Sequence, residues 1–261
     1  MSVKLTFGAN KHLIIKARLE LIDLSIIIPA YNEEKRIGLT LKKTFEFLEQ
    51  RSWNYELITV DDGSRDQTLQ VIQELAATRD DIKVVRNYRN RGKGFSVRRG
   101  LEVASGRFVG YMDADYKTDI KALDDVMSHL ENNSKVVIGD RTLKNTEIIA
   151  ARSLLREIGS KAFKTLLSFL MGIRDFEDTQ CGFKFFCGKV MREAFLVQKV
   201  DGYMFDVEIL LILTRMDYEI KKLSVEWSYD ADSRFNIISG SFKNLRELAE
   251  IRWRHRSGQH R

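Results

Sequence analysis

Proline is nearly absent: Pro29 is the only one in 261 residues. That excludes a proline-rich linker between domains. Cysteine is scarce as well. Cys181 and Cys187 are the only two. They are too few for a disulfide scaffold and lack metal-ligand company, so a reducing compartment is expected. Long apolar runs are also missing. None reaches the roughly 18 residues of a membrane-spanning helix, and the longest, such as 209–213, are core-sized. The apolar stretch 13–15 is too short for the h-region of a signal peptide. The expectation is a cytoplasmic protein, or one peripheral to the cytoplasmic face of a membrane.

Neither sign of charge dominates. Lysine and arginine number 43 against 37 aspartates and glutamates, a net charge of +6. A modest positive excess suits phosphate substrates, a lipid surface or nucleic acid, without choosing among them. No basic stripe studded with aromatics occurs, so nucleic acid is not an expected partner. Hydrophobic residues make up 44% and charged residues 31%, the balance of a folded chain with one sizeable α/β domain.

Residues 1–22 carry no clear pattern and read as an extension. From Leu24 onward, strands are expected over 24–30, 57–60, 82–86, 107–112 and 135–138. Helices are expected over 66–77, 94–104 and 119–130, with another after Asn32. Asn32 has the chemistry of a cap for that helix, with Glu33 and Glu34 in its first turn. Strand–helix alternation implies βαβ crossovers and a mostly parallel sheet covered on both faces.

After Arg141 the rhythm changes. Residues 152–171 form an amphipathic helical pattern, with Leu154, Leu155, Ile158 and Leu166 on one side and basic residues mostly opposite. Such a stripe is a core face or a basic helix lying in a membrane interface. A helix over 203–216 and a strand over 219–225 follow. The basic stretch 246–261 is a solvated tail or a membrane-surface contact. The domain is therefore expected over 23–245, in two halves that divide at about residue 142.

In open α/β sheets, ligands bind beyond the carboxyl ends of the strands. The polar clusters fall there. The first strand ends in Pro29-Ala30-Tyr31-Asn32-Glu33 and the second in Asp61-Asp62-Gly63-Ser64. The loop after the third holds Arg91-Gly92-Lys93-Gly94, and the fourth ends in Asp113-Ala114-Asp115. Two carboxylates just past a strand can face one hard cation and leave places for diphosphate oxygens and water. Glycine lets the backbone approach a phosphate, and Lys93 adds a point charge. The segment has neither the spacing of a P-loop nor that of a dinucleotide site. Asp62 and Glu33 have acceptors for a base or ribose, though capping also accounts for Glu33. Asp178 is a candidate active-site carboxylate. Glu208, among apolar neighbours, is either functional or a paired structural acid. Arg141 and Arg234 could clamp phosphate or lie plainly on the surface.

These strings resemble the family-2 glycosyltransferases with the GT-A fold, over about residues 24–242. The second-half strings 178–184 and 202–208 are most similar to the polyprenyl-phosphate branch, and within it to dolichyl-phosphate β-glucosyltransferases. Such enzymes move glucose from UDP-glucose to a lipid phosphate with inversion. The dolichyl-phosphate mannosyltransferases, which use GDP-mannose, match the second half less well. The resemblance implies that Pro29, Tyr31, Glu33 and Asp62, with Gly63, lie around the nucleoside. It puts Lys93, Asp113 and Ala114 near the ribose and diphosphate. Asp115 becomes the principal ligand of Mg²⁺ or Mn²⁺, with Asp113 beside it. Arg141 and Arg234 would face phosphates, and residues 178–182, Gln180 included, would form the loop near the sugar.

Two features depart from the family's pattern. Many eukaryotic relatives carry an N-terminal membrane anchor, and none is expected here. Lys117 stands where some mannosyltransferase relatives place a neutral metal-binding side chain, and a charged lysine does not ligate. The expected reaction is a single in-line displacement. A lipid phosphate is already anionic and needs no strong base, whereas a hydroxyl acceptor would, with Asp178 the first choice. The alternatives are GDP-mannose as donor, a hydroxyl acceptor on a sugar, protein or small molecule, or an inactive nucleotide-binding homologue.

Overall fold

The computed structural model describes residues 21–143, 176–228 and 237–255. The first half runs β1 (Leu24–Ala30), α1 (Ile37–Leu48), β2 (Tyr55–Asp61), α2 (Thr68–Ala76) and β3 (Ile82–Arg86). It continues through α3 (Lys93–Leu101), β4 (Phe108–Met112), α4 (Ala122–Glu131) and β5 (Val136–Asp140). The second half adds β6 (Phe183–Cys187), α5 (Gly188–Val197), α6 (Phe205–Arg215), β7 (Ile220–Ser224) and α7 (Ile237–Arg254). The helix expected over 152–171 lies outside the described residues.

The seven strands form one sheet in the order β3-β2-β1-β4-β6-β5-β7. All neighbouring pairs are parallel except those of β6, which is antiparallel to both β4 and β5. The expected mostly parallel sheet is therefore present, and the two expected halves share it. From β1 the chain winds outward to β2 and β3, then returns to place β4 on the other side. Such a reversal leaves a crevice at the carboxyl ends of the strands it separates. The register sharpens this. β1 pairs with β2 as far as Ala30, but with β4 only over Leu24–Ile27. Pro29, which has no N–H to give, sits past the end of the β4 pairing.

Alternation along the strands fills both faces. Ile27, Ile58, Val109, Tyr111 and Phe186 pack with α3, α5 and α6, whereas Ile26, Ile28, Leu57, Phe183 and Phe185 pack with α1 and α4. Each such side chain contributes about 1.5–3 kcal/mol by leaving water. Helix α6 is buried over its first nine residues, Phe205 to Leu213, so it is a core helix with two acids inside it.

Three expectations are corrected. Asn32 does not cap α1. It sits at φ 55°, its side-chain oxygen accepts from the Arg65 N–H at 2.9 Å, and Arg36 precedes the helix. Glu33 and Glu34 thus lie before the first turn, not in it. Residues 246–254 are not a solvated tail but the second half of α7, with Leu248 and Ile251 fully buried. Finally, β6 and α5 were not expected at all.

Candidate active site

The tip of β2 is an organiser of loops. Asp62 is buried. One carboxylate oxygen accepts from the Asn87 side chain at 2.8 Å and the Arg91 N–H at 2.9 Å. The other accepts from the Asn90 side chain at 2.9 Å and the Gly92 N–H at 2.8 Å. Four hydrogen bonds therefore fix the loop that presents Lys93. Gly63 permits this closeness: at φ 70°, a Cβ on it would come within 2.5 Å of the Arg89 carbonyl carbon. Asn32 N–H donates to Ser64 Oγ at 3.0 Å, fastening the β1 tip to the β2 tip. Glu33 grips Arg36 through both oxygens, at 2.6 and 2.7 Å. Tyr31 is 38% exposed beside them.

Lys93 is the hinge of the site. Its ammonium lies 2.7 Å from Asp113 Oδ1 and 3.6 Å from Asp206 Oδ2. Burial pushes the lysine down, but Asp113 and Asp206 outweigh it and raise it well above the ordinary lysine range. The reciprocal holds for Asp113: burial raises it, and Lys93 pulls it below the usual carboxylate range. Lys93 is thus a fixed cation. Asp206 also accepts from Tyr111 Oη at 2.6 Å and from Lys184 Nζ at 2.5 Å. Lys184 is fully buried, and it also donates to the Thr179 and Cys181 carbonyls at 3.1 and 2.6 Å. Burial pushes the Cys181 thiol up to about 12, so that cysteine is inert packing.

Asp113 reaches this position because residue 182 has no side chain. The Asp113 N–H donates to the Gly182 carbonyl at 3.0 Å. A Cβ at Gly182 would lie 2.1 Å from Asp113 Oδ2. Gly182→Ala is therefore expected to evict the Asp113 carboxylate and break its pair with Lys93. The variant should lose about 1–3 kcal/mol of stability, checked by urea titration, and parental stability would contradict the cradle.

Beyond β4, Ala114 is buried and its carbonyl accepts from Thr40 Oγ1 at 2.7 Å. Asp115 faces Lys117, whose ammonium is 3.2 Å from Oδ2. Lys117 is held in turn by its carbonyl, which accepts from the Ser228 N–H at 2.8 Å, and by the bridge between Thr118 and Trp227. Among the described residues no group of three or more His, Cys, Asp and Glu side chains gathers for a metal. Asp113, paired with Lys93, and Asp115, paired with Lys117, carry hard carboxylate oxygens. Oxygen donors of this kind suit Mg²⁺ or Mn²⁺ only where diphosphate oxygens and water would complete the shell.

Arg141 and Asp178 form a two-pronged pair. Nε and Nη2 donate at 2.7 and 2.8 Å, and the Arg141 backbone N–H adds a third bond at 3.0 Å. Burial pushes Asp178 up, but the guanidinium outweighs it and holds the carboxyl below its usual range. Because the folded value is lowered, the pair's stabilisation is fully present above about pH 4, the unfolded value. It is lost only as pH falls through the depressed one. The stability gap between the parent and Asp178→Asn should stay constant from pH 7 to about 4, then narrow. Urea titrations across that range test this, and narrowing already at pH 6 would contradict it. Gln180 lies nearby, with Nε2 3.9 Å from Met204 Sδ. Arg234 lies outside the described residues.

Sequence reasoning missed Asp206, Lys184 and Tyr111 as members of this network. Glu208 is resolved as a structural acid. It is fully buried and accepts from the Lys199 and Val200 N–H groups at 3.0 and 2.8 Å, while His255 Nε2 lies 3.0 Å from its other oxygen.

The family model for glycosyl transferase family 2 matches residues 25–196. The dolichyl-phosphate β-glucosyltransferase of Dictyostelium discoideum is 32% identical over 249 residues, covering 91% of this chain and 76% of that protein. The Saccharomyces cerevisiae enzyme of the same name is 33% identical, covering 93% and 78%. Among solved structures, glucosyl-3-phosphoglycerate synthase from Mycobacterium tuberculosis with UDP superposes with a TM-score of 0.67 at 17% identity, covering 97% of this chain and 87% of that one. That synthase has also been crystallised with UDP and Mn²⁺ or Mg²⁺. The chain belongs to glycosyl transferase family 2, alongside the dolichyl-phosphate β-glucosyltransferases.

Proposed function

We propose that this chain transfers glucose from UDP-glucose to a dolichyl or other polyprenyl phosphate, with inversion at the anomeric carbon. The observation that carries the acceptor is the state of Asp178. Its carboxylate is spent on Arg141 and held below the usual range, which makes it a poor proton acceptor. A phosphate acceptor needs none. A hydroxyl acceptor would, and this pair argues against it. The donor reading rests on the likeness to relatives named for β-glucosyl transfer.

In this reading the β1 and β2 tips, with Pro29, Tyr31, Glu33 and Gly63, border the nucleoside, and Asp62 holds their neighbouring loop rigid. Lys93 stays charged throughout and faces the leaving diphosphate, so stabilisation is set before the bond breaks. Asp113 and Asp115 would hold the divalent cation, which when bound supplies Lewis-acid stabilisation of the leaving group. Asp178 orients Arg141 toward a phosphate, and Gln180 lies on the same loop. Work on the cytoplasmic face of a membrane would bring a lipid phosphate to these groups.

Release of nucleoside diphosphate from UDP-glucose and GDP-mannose tests this, with and without a short polyprenyl phosphate and with Mg²⁺ or Mn²⁺ present or chelated. Release is expected only with UDP-glucose, cation and lipid phosphate together. Equal release with GDP-mannose would overturn the donor, and release onto a sugar hydroxyl without lipid phosphate would overturn the acceptor.

A further inference from the structure

Helix α6 is buried from Phe205 to Leu213, and Met204 before it is buried as well. Tyr203 is the exception at its threshold, 53% exposed. One exposed aromatic is ordinary on an open surface. The surroundings of this one are not. The backbone that carries it is pinned on both sides. The Met204 N–H donates to Glu247 Oε2 at 3.1 Å. The Asp201 carbonyl accepts from the Phe95 N–H at 3.1 Å. The Asp201 carboxylate pairs with Arg98 and, at 3.4 Å, with Arg91. Two glycines let this turn sit on the loop that presents Lys93. A Cβ on Gly92 would lie 2.4 Å from the Asp201 carbonyl oxygen, and one on Gly94 2.4 Å from that of Val200. Just beyond, the Phe205 ring centroid lies 5.7 Å from the Lys93 ammonium and Asp206 Oδ2 3.6 Å from it. Residue 203 falls between these two contacts with the Lys93 segment.

The electrostatics of Tyr203 agree with that placement. Burial raises its hydroxyl above the ordinary tyrosine value. Half exposure combined with an upward push from burial is what a side chain in a cleft shows: water reaches one side and protein crowds the others. Among charges, Lys93 acts on it most, then Asp113, then Glu33 and Asp62. The first two stand on the diphosphate side of the crevice and the last two on the nucleoside side. A phenol in this setting keeps its proton and is a hydrogen-bond donor.

We propose that Tyr203 is a further donor-binding residue, its hydroxyl donating to a diphosphate oxygen of the nucleotide sugar. This rests on the nucleotide-sugar donor proposed above. Lys93 supplies a point charge. A phenol on a pinned backbone, with two side-chain torsions, adds direction at little ordering cost. The second half of the chain then takes part in holding the donor.

Isothermal titration of the full chain with UDP in Mg²⁺ reads the contact. Tyr203→Phe keeps the ring and removes only the hydroxyl. Its UDP affinity should fall by about tenfold, the size of one hydrogen bond to a charged group, and circular dichroism checks its fold. Labelling with 3-fluorotyrosine gives a signature that a merely structural role would not. The fluorine resonance missing from Tyr203→Phe identifies residue 203. It should shift with UDP and with inorganic pyrophosphate, and not with uridine. Parental UDP affinity in Tyr203→Phe, or a resonance unmoved by saturating UDP, would overturn the proposal. A shift with uridine and none with pyrophosphate would overturn the diphosphate contact and move it to the nucleoside. A parent that binds GDP and not UDP would overturn the donor base alone, and the same readouts with GDP would then decide the place of Tyr203. A parent that binds neither would overturn both readings.

Discussion

Asp115→Ala is expected to lower turnover by on the order of 10³-fold, with a melting temperature close to that of the parent. The two outcomes separate because Asp115 contributes little to packing. It lies past the end of β4, and its contacts are local: Lys117 Nζ at 3.2 Å and the Lys117 N–H at 3.4 Å. A partly exposed pair of this kind contributes about 0–1 kcal/mol to folding. What is lost is a fixed negative charge where a cation and a diphosphate would meet. Parental turnover in this variant would sink the role given to Asp115. Lys117→Gln is the companion. It removes the ammonium that competes for the same carboxylate. Binding of Mn²⁺ in the presence of UDP, followed by electron paramagnetic resonance of the free ion, should tighten by about fivefold, equivalent to about 1 kcal/mol. Weaker Mn²⁺ binding would mean that Lys117 instead assists the diphosphate.

Asp206→Ala is expected to be the most destabilising single change in the site, at about 3–5 kcal/mol. Lys184 has no access to water, so removing its carboxylate strands an ammonium in the core. The same change leaves Tyr111 Oη without the acceptor it has at 2.6 Å. Denaturant titration measures the loss. Lys184→Met/Asp206→Leu removes both charges and should recover much of it, because a buried pair replaced by apolar groups is often neutral. Its activity should nonetheless stay low, because Asp206 also faces Lys93 at 3.6 Å. A double variant as unstable as the single one would show that the charges are not the issue. A double variant with full activity would detach Asp206 from Lys93.

The first half of the fold was legible because its strands are runs of β-branched residues ending in polar tips. Leu24–Ala30 and Tyr55–Asp61 need no tertiary information to read as buried strands. The strand β6 was hidden by one residue. Phe183-Lys184-Phe185-Phe186-Cys187 is aromatic enough for a core strand, but a lysine in its second position argues against full burial. Only the partner twenty-two residues later, Asp206, makes that burial possible. Helix α7 was hidden differently: among its described side chains Leu248 and Ile251 are the apolar ones turned inward, and Asn244 and Glu247 are buried beside them. The acidic tip 113–115 and Lys93 were legible as chemistry, and the structure brings Lys93 and Asp113 together. The loop role of Asp62 was not, since it depends on where Asn87 and Asn90 fold back.

The place of β6 between β4 and β5 also orders events in time. A ribosome that has released the chain only as far as β5 has made the group β3-β2-β1-β4 and the lone strand β5, with a gap one strand wide between them. Both edges of that gap carry unpaired backbone groups and large apolar side chains, which is what another unfinished chain would pair with. The gap closes only when residues 183–187 emerge, more than forty positions after β5 ends. A slow codon before that point would lengthen the exposure, and one after it would not. Synonymous changes between 141 and 183 should therefore alter the soluble yield of a protein whose amino-acid sequence has not changed.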